Sequence, residues 1–398
     1  MRVAVIGGGP AGLVAAGSAL GAEVVLFEHN DKLGKKIYIT GKGRCNFTNV
    51  CAPEDFLANV VNGGMFLRSA LSRFTPEHAV RLLEDNGCKT KLERGRRAFP
   101  QSDKASDVTK ALSRYAERNG TSVRLCDNVT GIKSSPDGIS VECDGASEKF
   151  DRVIVCTGGK SYSLTGSDGS GYVLARGLGH AVTDPVPSLV PLVTKEDLSC
   201  AEGLTLKNIA VSAEKIKPIR GDMMITGDGV SGPVILTLSA LCARRGVPYE
   251  IAIDLKPAMS TEELDDRILR DFDECKNKQF KNSLDMLLPK SMIPIVIKSS
   301  GISSDKQVNS VTKAERAKLV AAIKALPLTI VGNSGFERAV VTCGGVDLKQ
   351  INPKTMESKI ASGVHFAGEV LDIDALTGGY NFHIAMATGY AAGSACAV

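Results

Sequence analysis

The chain has 398 residues, of which 43% are hydrophobic and 23% are charged, and its formal net charge is +4. These values are typical of a globular protein with two or three sizeable domains. The sequence contains no apolar run near the ~18–20 residues of a membrane span, and its N-terminal apolar stretch is too short for a signal peptide, so we expect a cytoplasmic protein without a membrane partner.

The first predicted strand, Val3–Ile6, leads directly into three glycines, Gly7, Gly9 and Gly12, in the order G-x-G-x-x-G. In a dinucleotide-binding turn these glycines allow a tight turn, a close approach of the backbone to a pyrophosphate, and close packing of helix on strand. A helix that opens at Pro10 and Ala11 directs its N–H groups and the positive end of its dipole toward the phosphates.

The second predicted strand, Glu23–Phe27, is followed by Glu28, which lies 21 positions after the first glycine. A carboxylate at this point accepts hydrogen bonds from a ribose 2′-hydroxyl and repels a 2′-phosphate. The next residues, 29–31, include no arginine that would bind such a phosphate. The pattern therefore predicts a site for FAD or NAD and not for NADP.

A polar loop with several glycines extends over residues 34–49. Helices are then predicted at Pro76–Asn86, with Thr75 as its cap, and near Lys104–Arg118. Strands with alternating polarity, followed by the apolar strand Arg152–Cys156, complete this half. The alternating strands form a predicted antiparallel meander and lie at about 128–133, 138–143 and 148–150, after a strand at 122–125.

From about residue 188 the pattern changes to short strands, and over residues 260–326 it becomes helical. Two capping boxes, Ser260 with Glu263 and Thr312 with Glu315, start amphipathic runs. Buried strands then return, and a small-residue helix is predicted at Asn381–Cys396. The predicted strands of this half lie at about 189–194, 208–214, 219–226, 249–255, 339–342 and 364–367.

We therefore predict the α/β fold class, with a Rossmann-like, two-layer FAD-binding domain that contains a β-meander. This domain is expected to be discontinuous, with a first segment at 1–188 and a second segment at 330–398. The predicted interruptions are a β-rich part at 189–258 and a helical part at 259–329.

The eleven cysteines include no C-x-x-C pair. Zinc and iron–sulfur spacings and the dithiol of disulfide reductases are therefore absent, and we expect reduced thiols and no metal. The densest basic group, between Lys89 and Arg97, is typical of a solvated surface, so no nucleic-acid partner is expected.

Several sequence blocks closely resemble those of the BaiN-like FAD-dependent oxidoreductases, also described as aminoacetone-oxidase-like flavoproteins. The resemblance covers the whole length of the chain and implies a FAD domain with inserted β and helical parts. One block differs: where relatives tend to have T-H-x-G, this chain has Thr226-Gly227-Asp228-Gly229. The matching blocks are GGGPAG at 7–12, LGKKIYITGKGRCNFTN at 33–49, GRRAFPQSDKASDV at 95–108, CTGGKSY at 156–162, TGSDGSGY at 165–172, GDGVSGPVILTLS at 227–239, VTCGGVDLKQINPKTMESK at 341–359 and GVHFAGEVLDIDALTGGYNFHIAMATGYAAG at 363–393.

The resemblance also implies a set of cofactor-binding residues beyond the glycine turn. The segment 43–49 would lie along the flavin, 157–159 near the adenine and ribose, and 368–369 at the ribityl chain and pyrophosphate. The glycines of GGYN would start the last helix beneath the ring, where its N-terminus stabilises the charge of reduced flavin. The implied residues are Gly43, Arg44, Asn46, Thr48, Asn49, Thr157, Gly158, Gly159, Gly368, Glu369, Gly378, Gly379, Tyr380 and Asn381.

Four residues are candidates for catalysis: Cys45, Asn46, Tyr380 and His383. Cys45 is either a reactive thiol whose pKa is lowered by Arg44 or an inert buried residue. His383 is either an acid or base near the ring or a packing residue, and the helix N-terminus would favour its neutral form.

These features predict an FAD-dependent oxidoreductase that exchanges a hydride between flavin N5 and a small organic substrate, with NAD(P)H as a transient donor. Family labels leave an O₂-using amine oxidase open. A redox-sensing or RNA-associated flavoprotein without catalysis is a further alternative. A plain NAD-dependent dehydrogenase would leave the C-terminal GGYN block unexplained.

Overall fold

The computed structural model describes residues Met1–Val398 and divides into two compact units. The first unit combines Met1–Ser188 with Phe336–Val398, and the second consists of Leu189–Gly335. The sequence places the corresponding boundaries at 188 and 329.

The helices and strands are numbered here in chain order. The helices are α1 (Pro10–Ser18), α2 (Pro53–Ala58), α3 (Gly64–Arg73), α4 (Pro76–Asp85), α5 (Ala105–Glu117), α6 (Ser170–Gly177), α7 (Pro233–Leu241), α8 (Thr261–Glu274), α9 (Ile293–Ser300), α10 (Lys313–Lys324) and α11 (Tyr380–Ala395). The strands are β1 (Arg2–Ile6), β2 (Glu23–Glu28), β3 (Thr48–Asn49), β4 (Val60–Asn62), β5 (Thr90–Glu93), β6 (Arg97–Pro100), β7 (Ser122–Leu125), β8 (Val129–Ser135), β9 (Gly138–Cys143), β10 (Ala146–Phe150), β11 (Arg152–Val155), β12 (Val182–Ser188), β13 (Leu192–Thr194), β14 (Thr205–Ala213), β15 (Ile216–Thr226), β16 (Gly229–Ser231), β17 (Tyr249–Asp254), β18 (Leu326–Asn333), β19 (Val341–Val346), β20 (Val364–Phe366) and β21 (Asp374–Ala375).

The first unit is built on a parallel five-stranded sheet in the order β20-β11-β1-β2-β7. Its central strand β1 pairs in parallel with both β2 and β11. Val3, Ala4 and Val5 have no exposed surface, as the apolar runs predict for strands covered on both faces. The predicted Rossmann-like α/β fold and its β-meander, formed by β8, β9 and β10, are confirmed.

The last helix, α11, lies directly against α1 because both carry small residues along the contact. A Cβ atom added at Gly389 would collide with the carbonyl oxygen of Ala11, and one added at Gly393 would collide with that of Ala15. The two ends of the chain therefore form one core, and α11 is held at a fixed position relative to the glycine turn.

The region after the first βαβ unit contains more strands than the sequence predicts. Strands β3, β6 and β5 form a small antiparallel sheet, and β21 pairs with β4. These strands have only two to four residues, which is too short to give a recognisable alternation of polarity. The predicted cap of α4 is present, since Thr75 accepts from the backbone N–H of His78.

The second unit is a closed barrel of six antiparallel strands in the order β13-β16-β15-β14-β17-β18. Both predicted capping boxes are present, at the starts of α8 and α10. The predicted helical part ends later than the real one, because Leu326–Asn333 forms β18, in which Leu326, Leu328 and Ile330 are buried. The helices α8, α9 and α10 are thus inserted between two strands of one barrel.

Among the helices described above, none combines the length and apolar character needed to cross a lipid bilayer.

Candidate functional site

The glycine turn after β1 has the geometry of a dinucleotide-binding turn. Gly7 has a positive φ of 104°, and a Cβ there would lie 2.5 Å from the carbonyl oxygen of Cys156. A Cβ at Gly12 would collide with the carbonyl oxygen of Gly7, so α1 approaches β1 as closely as the fingerprint requires. A Cβ at Gly9 would meet no atom within 4 Å, so this glycine faces open space at the N-terminus of α1. An anionic group fits at this point.

Glu28 lies at the end of β2, next to the same turn. Its Oε2 accepts from the backbone N–H of Gly8 at 2.8 Å, and its Oε1 accepts from the backbone and side-chain nitrogens of Asn30 at 2.8 and 2.7 Å. These bonds fix the carboxylate beside the turn, where the fingerprint places the acid that binds a ribose. The ribose contact itself stays a prediction.

The loop that carries the GRCN block has an unusual backbone. Gly41, Lys42, Gly43 and Cys45 all have positive φ values, between 58° and 85°. Lys42 and Cys45 are not glycines, and backbone strain of this kind is concentrated at functional sites because the surrounding structure must hold it in place.

This loop meets the start of α11. Asn49 Nδ2 donates to the carbonyl of Gly378 at 3.4 Å. A Cβ at Gly379 would lie 2.6 Å from the carbonyl oxygen of Thr48 and 2.8 Å from Asn46 Oδ1. Asn46 Oδ1 is buried and has no hydrogen-bond partner within the protein. We refer to the residues 46–49 and 378–380 as the junction.

A second polar cluster surrounds Glu369. Lys36 Nζ donates to Glu369 Oε2 at 2.8 Å and to Ser161 Oγ at 2.7 Å. Glu369 Oε1 also accepts from Ser161 Oγ at 3.1 Å and from the backbone N–H of Thr342 at 2.8 Å. Glu369 is among the residues that the resemblance implies, whereas Lys36, although it lies in the matching block at 33–49, has no separate signal in the sequence. The cluster connects the polar loop 34–49 with the segments 157–162 and 368–369.

The block Thr157-Gly158-Gly159 packs against this cluster. A Cβ at Gly159 would lie 2.5 Å from Thr342 Oγ1 and 2.8 Å from Glu369 Oε1, so only glycine fits there. Thr157 Oγ1 is buried without a hydrogen-bond partner. Gly368 approaches α1, where its added Cβ would lie 2.9 Å from Ala11 Cβ.

Three of the implied side chains have partners within the protein. Arg44 pairs with Glu93 and with Asp103, and its guanidinium lies 4.5 Å from the ring centroid of Phe99. The side chain of Thr48 bonds to His383 at 3.0 Å. The side chain of Asn381 bonds to the backbone of Ala375 through both its oxygen, at 2.9 Å, and its nitrogen, at 2.6 Å. We therefore predict that cofactor contacts at 44, 48 and 381 are made by the backbone and not by these side chains.

Of the two interpretations of Cys45, the one in which Arg44 lowers the pKa of its thiol finds no support in the geometry. Cys45 has no exposed surface, and burial raises the pKa of its thiol. Arg44 is directed toward Glu93 and Asp103 instead. A thiol of this kind stays protonated and unreactive, so the geometry favours the inert interpretation.

His383 is held on both sides of its ring. Its Nδ1 lies 3.0 Å from Thr48 Oγ1 and its Nε2 lies 3.0 Å from the carbonyl oxygen of Phe74. Burial lowers the pKa of the imidazole to about 4, with a smaller opposite effect from its bond to the Phe74 carbonyl. The geometry therefore favours the neutral form, with burial as its main cause and not the helix N-terminus. With both nitrogens engaged, His383 fastens β3 to α11 and to the end of α3.

The residues fit a flavin dinucleotide. The open face of Gly9 at a helix N-terminus suits a pyrophosphate, and the buried Asn46 Oδ1, which has no partner within the protein, is free to accept a hydrogen bond from a bound molecule. The N-terminus of α11 begins at Gly379, which has no side-chain cap. Fold and site together define a protein of the FAD-dependent oxidoreductase class.

Comparison with known proteins identifies the family. The chain matches the HI0933-like protein Rossmann domain over residues 1–395 and belongs to that family. It is 34% identical to the 3-dehydro-bile acid delta(4,6)-reductase of Clostridium scindens, covering 100% of this chain and 99% of that protein. It is 32% identical to the ribosomal RNA dihydrouridine synthase of Haemophilus influenzae, covering 97% of this chain and 96% of that protein. The resemblance to the BaiN-like family is confirmed.

Solved structures support the same fold. The chain aligns with the 3-ketosteroid-delta4-(5alpha)-dehydrogenase of Rhodococcus jostii with a TM-score of 0.55 and 16% identity, covering 100% of this chain and 96% of that one. It aligns with the open conformation of a flavocytochrome c3 fumarate reductase with a TM-score of 0.53 and 17% identity, covering 99% and 78%.

Proposed function

We propose that this protein reduces a carbon–carbon double bond conjugated with a carbonyl group, with NAD(P)H as the source of the hydride. The relatives that cover nearly the whole chain carry this proposal. One is named for the reduction of delta(4,6) double bonds in a 3-dehydro bile acid. The others, from Haemophilus influenzae and Escherichia coli, are named for the formation of dihydrouridine in ribosomal RNA.

The two named reactions share one chemical step. The 4,6-diene of a 3-oxo steroid is conjugated with its ketone, and the C5=C6 bond of uracil is conjugated with the C4 carbonyl. In uracil and at the C4=C5 bond of the steroid, a hydride adds to the β-carbon and a proton adds to the α-carbon. At the C6=C7 bond the same step is extended by one double bond, so the hydride adds to the δ-carbon C7 and the proton adds to C6. We therefore assign the shared step to this chain and treat the conjugated alkene as its substrate class.

The chain's own residues support this step by holding and polarising the cofactor. The turn Gly7–Gly12 and Glu28 would hold the dinucleotide, and the junction would hold the ring. Bound FAD supplies hydride transfer through N5. The N-terminus of α11 presents backbone N–H groups and a positive dipole end, which favour a negatively charged, reduced ring. His383 and Asn381 fix this helix start by their bonds to Phe74, Thr48 and Ala375.

Uridine in RNA is the second candidate substrate, favoured by the two relatives named for ribosomal RNA. The expectation that nucleic acid plays no part is thus not confirmed. The amine-oxidase alternative has no comparable support, because none of the relatives above is named for the oxidation of an amine.

The test is an anaerobic two-stage reaction with the purified holoenzyme. NADH or NADPH first bleaches the flavin, and excess donor is removed. A 3-oxo-4,6-diene steroid, or ribosomal RNA that lacks dihydrouridine, is then mixed in. We expect the flavin colour to return with at least one of these substrates and not with a saturated 3-oxo steroid.

Two results would contradict the proposal. The first is a reduced flavin that no conjugated alkene reoxidises while O₂ does so rapidly. The second is bleaching of the oxidised flavin by a small amine under the same conditions.

A further inference from the structure

The hairpin of β5 and β6 carries three arginines that the proposed function has not used. Arg94, Gly95 and Arg96 form its turn, and Arg97 is the first residue of β6. All four residues are exposed. The sequence pattern alone predicts a solvated basic surface here. We refer to residues 94–97 as the arginine turn.

Hydrogen bonds hold the arginine turn against the junction. Asn49, which is only 5% exposed, donates from Nδ2 to the carbonyl of Gly95 at 3.0 Å and to that of Gly378 at 3.4 Å. The backbone N–H of Val50 donates to the carbonyl of Arg96 at 2.8 Å. One buried side chain therefore connects the arginine turn with the start of α11.

The backbone of the turn leaves room on its outer side. A Cβ added at Gly95 would meet no atom within 4 Å, so open space lies over the turn. Gly95 and Arg96 have positive φ values of 78° and 59°. The left-handed region is uncommon for arginine, and the bond from Val50 helps to hold this conformation. The turn thus combines a fixed backbone with space for a ligand.

The carboxylates near the base of the hairpin are occupied by other cations. Glu93 pairs with Arg44. Asp103 pairs with Arg44 at 2.7 Å and with Lys91 at 2.6 Å. These ion pairs leave the charge of the arginine turn largely uncompensated.

Arg94 and Arg97 have guanidinium groups without a carboxylate partner. Arg97 Nε donates to the carbonyl of Arg94 at 3.1 Å, and neither side chain forms an ion pair. Arg96 faces Asp55, with 3.8 Å between Nη1 and Oδ2. An arginine stays charged at all relevant pH values, and its planar fork of N–H donors matches carboxylates and phosphates. The turn therefore presents two unpaired forks to an anionic oxygen group.

We propose that Arg94 and Arg97 bind an anionic oxygen group of the substrate, a carboxylate or a phosphate; this inference rests on the proposed function. Bile acids carry a carboxylate on their side chain, and a uridine within RNA is flanked by phosphates, so both kinds of substrate offer such a group. Because Asn49 ties the turn to the junction, binding of this group orients the substrate relative to the ring without any contact with the reacting carbons.

The first experiment compares two substrates that differ only in charge. Reduction of a 3-oxo-4,6-diene bile acid and of its methyl ester is measured with wild type and with the double variant Arg94→Gln/Arg97→Gln. The control is Arg176→Gln, which changes an exposed arginine of α6. The double variant should raise KM for the acid about 10-fold, the usual effect of losing hydrogen bonds to a charged group. The KM for the ester, kcat for both substrates and flavin bleaching by NAD(P)H should not change.

The second experiment measures RNA binding and needs no turnover. Binding of a ribosomal RNA fragment to the oxidised holoenzyme is followed over a salt series of about 50–200 mM. Each arginine that contacts a phosphate contributes about one unit to the slope of log K against log salt concentration. The slope should therefore be smaller by about 2 in the double variant and unchanged in Arg176→Gln.

The two experiments distinguish the sources of the anion. A raised KM for the acid alone identifies a carboxylate, and a smaller salt slope alone identifies phosphate; either result supports the proposal. If the double variant matches wild type in both experiments, the arginine turn binds no substrate anion. The single variants, each of which should show part of the effect, take the place of the double variant if it retains less flavin.

Failure of the proposed function gives a different result. In that case wild type reduces no conjugated alkene. Calorimetric binding of a saturated 3-oxo bile acid and of its methyl ester, together with the salt series, then still decides whether the arginine turn binds anions. Equal affinity of the double variant and wild type for the acid, with equal salt slopes, would refute the anion site itself.

Discussion

Acid should destabilise this protein through His383. The ring has no exposed surface. The Phe74 carbonyl only accepts hydrogen bonds, so Nε2 carries the proton and Nδ1 accepts from the Thr48 hydroxyl. Protonation would place an uncompensated charge in the core and remove the acceptor that the Thr48 hydroxyl uses. Burial accordingly lowers the pKa of His383 from 6.5 to about 4.

The size of the effect follows from linkage. The unfolded chain binds the proton near pH 6.5 and the folded chain near pH 4, so stability is fully present above pH 6.5 and is lost as the pH falls toward 4. Between pH 7 and pH 5, these values correspond to a loss of about 2 kcal/mol from this one residue.

The assay is urea unfolding of wild type and His383→Gln at pH 7, 6 and 5. Glutamine retains a donor for the Phe74 carbonyl and cannot titrate. Two other buried histidines, His180 and His365, titrate in both proteins and cancel in the comparison. At pH 7 the wild type should have the larger free energy of unfolding. The difference in this free energy between the two proteins should be about 2 kcal/mol smaller at pH 5. A gap of equal size at both pH values would refute the reasoning.

Three further substitutions test the cofactor site. Gly9→Ala should fold normally, because its Cβ meets nothing within 4 Å, but should lose bound FAD, measured by flavin absorption after gel filtration; a fully yellow variant would contradict this. The Gly379→Ala variant should retain less flavin than the control Gly120→Ala. Both glycines have a positive φ, but only Gly379 has other atoms close to an added Cβ. Equal flavin content in the two variants would contradict this prediction. Lys36→Met leaves the Glu369 carboxylate without its cation and should lower the free energy of unfolding by about 1–3 kcal/mol. The control Lys110→Met, which changes an exposed lysine of α5, should alter it by less than about 0.5 kcal/mol; equal effects would show that the cluster is not stabilising.

Local signals in the sequence predict much of the first unit and the starts of two helices in the second. Gly7 and Gly12 mark places where any side chain would collide with backbone, and Gly9 marks the open space in front of α1. The caps Thr75, Ser260 and Thr312 each satisfy a backbone N–H within three residues, so their effect is visible without knowledge of the fold.

Features that depend on distant contacts are not predicted. The barrel closes because β13 and β18 pair across more than one hundred residues, and nothing local indicates that β18 follows the helical insertion. The reactivity of the Cys45 thiol also depends on distant contacts. Cys45 stands beside Arg44 in sequence, yet the fold buries the thiol and directs the guanidinium toward Glu93.

The junction is the place where these distant contacts have chemical consequences. A helix N-terminus stabilises charge on a bound ring only if its N–H groups keep their direction while the charge develops. Asn381 fixes the turn before α11 through two bonds to Ala375, and His383 fixes the first turn of the helix to β3. Neither residue needs to touch substrate. Their side chains hold the helix start to β3 and to the turn before it, so an oriented dipole is in position beside Asn46, whose Oδ1 has no partner within the protein, before any molecule binds.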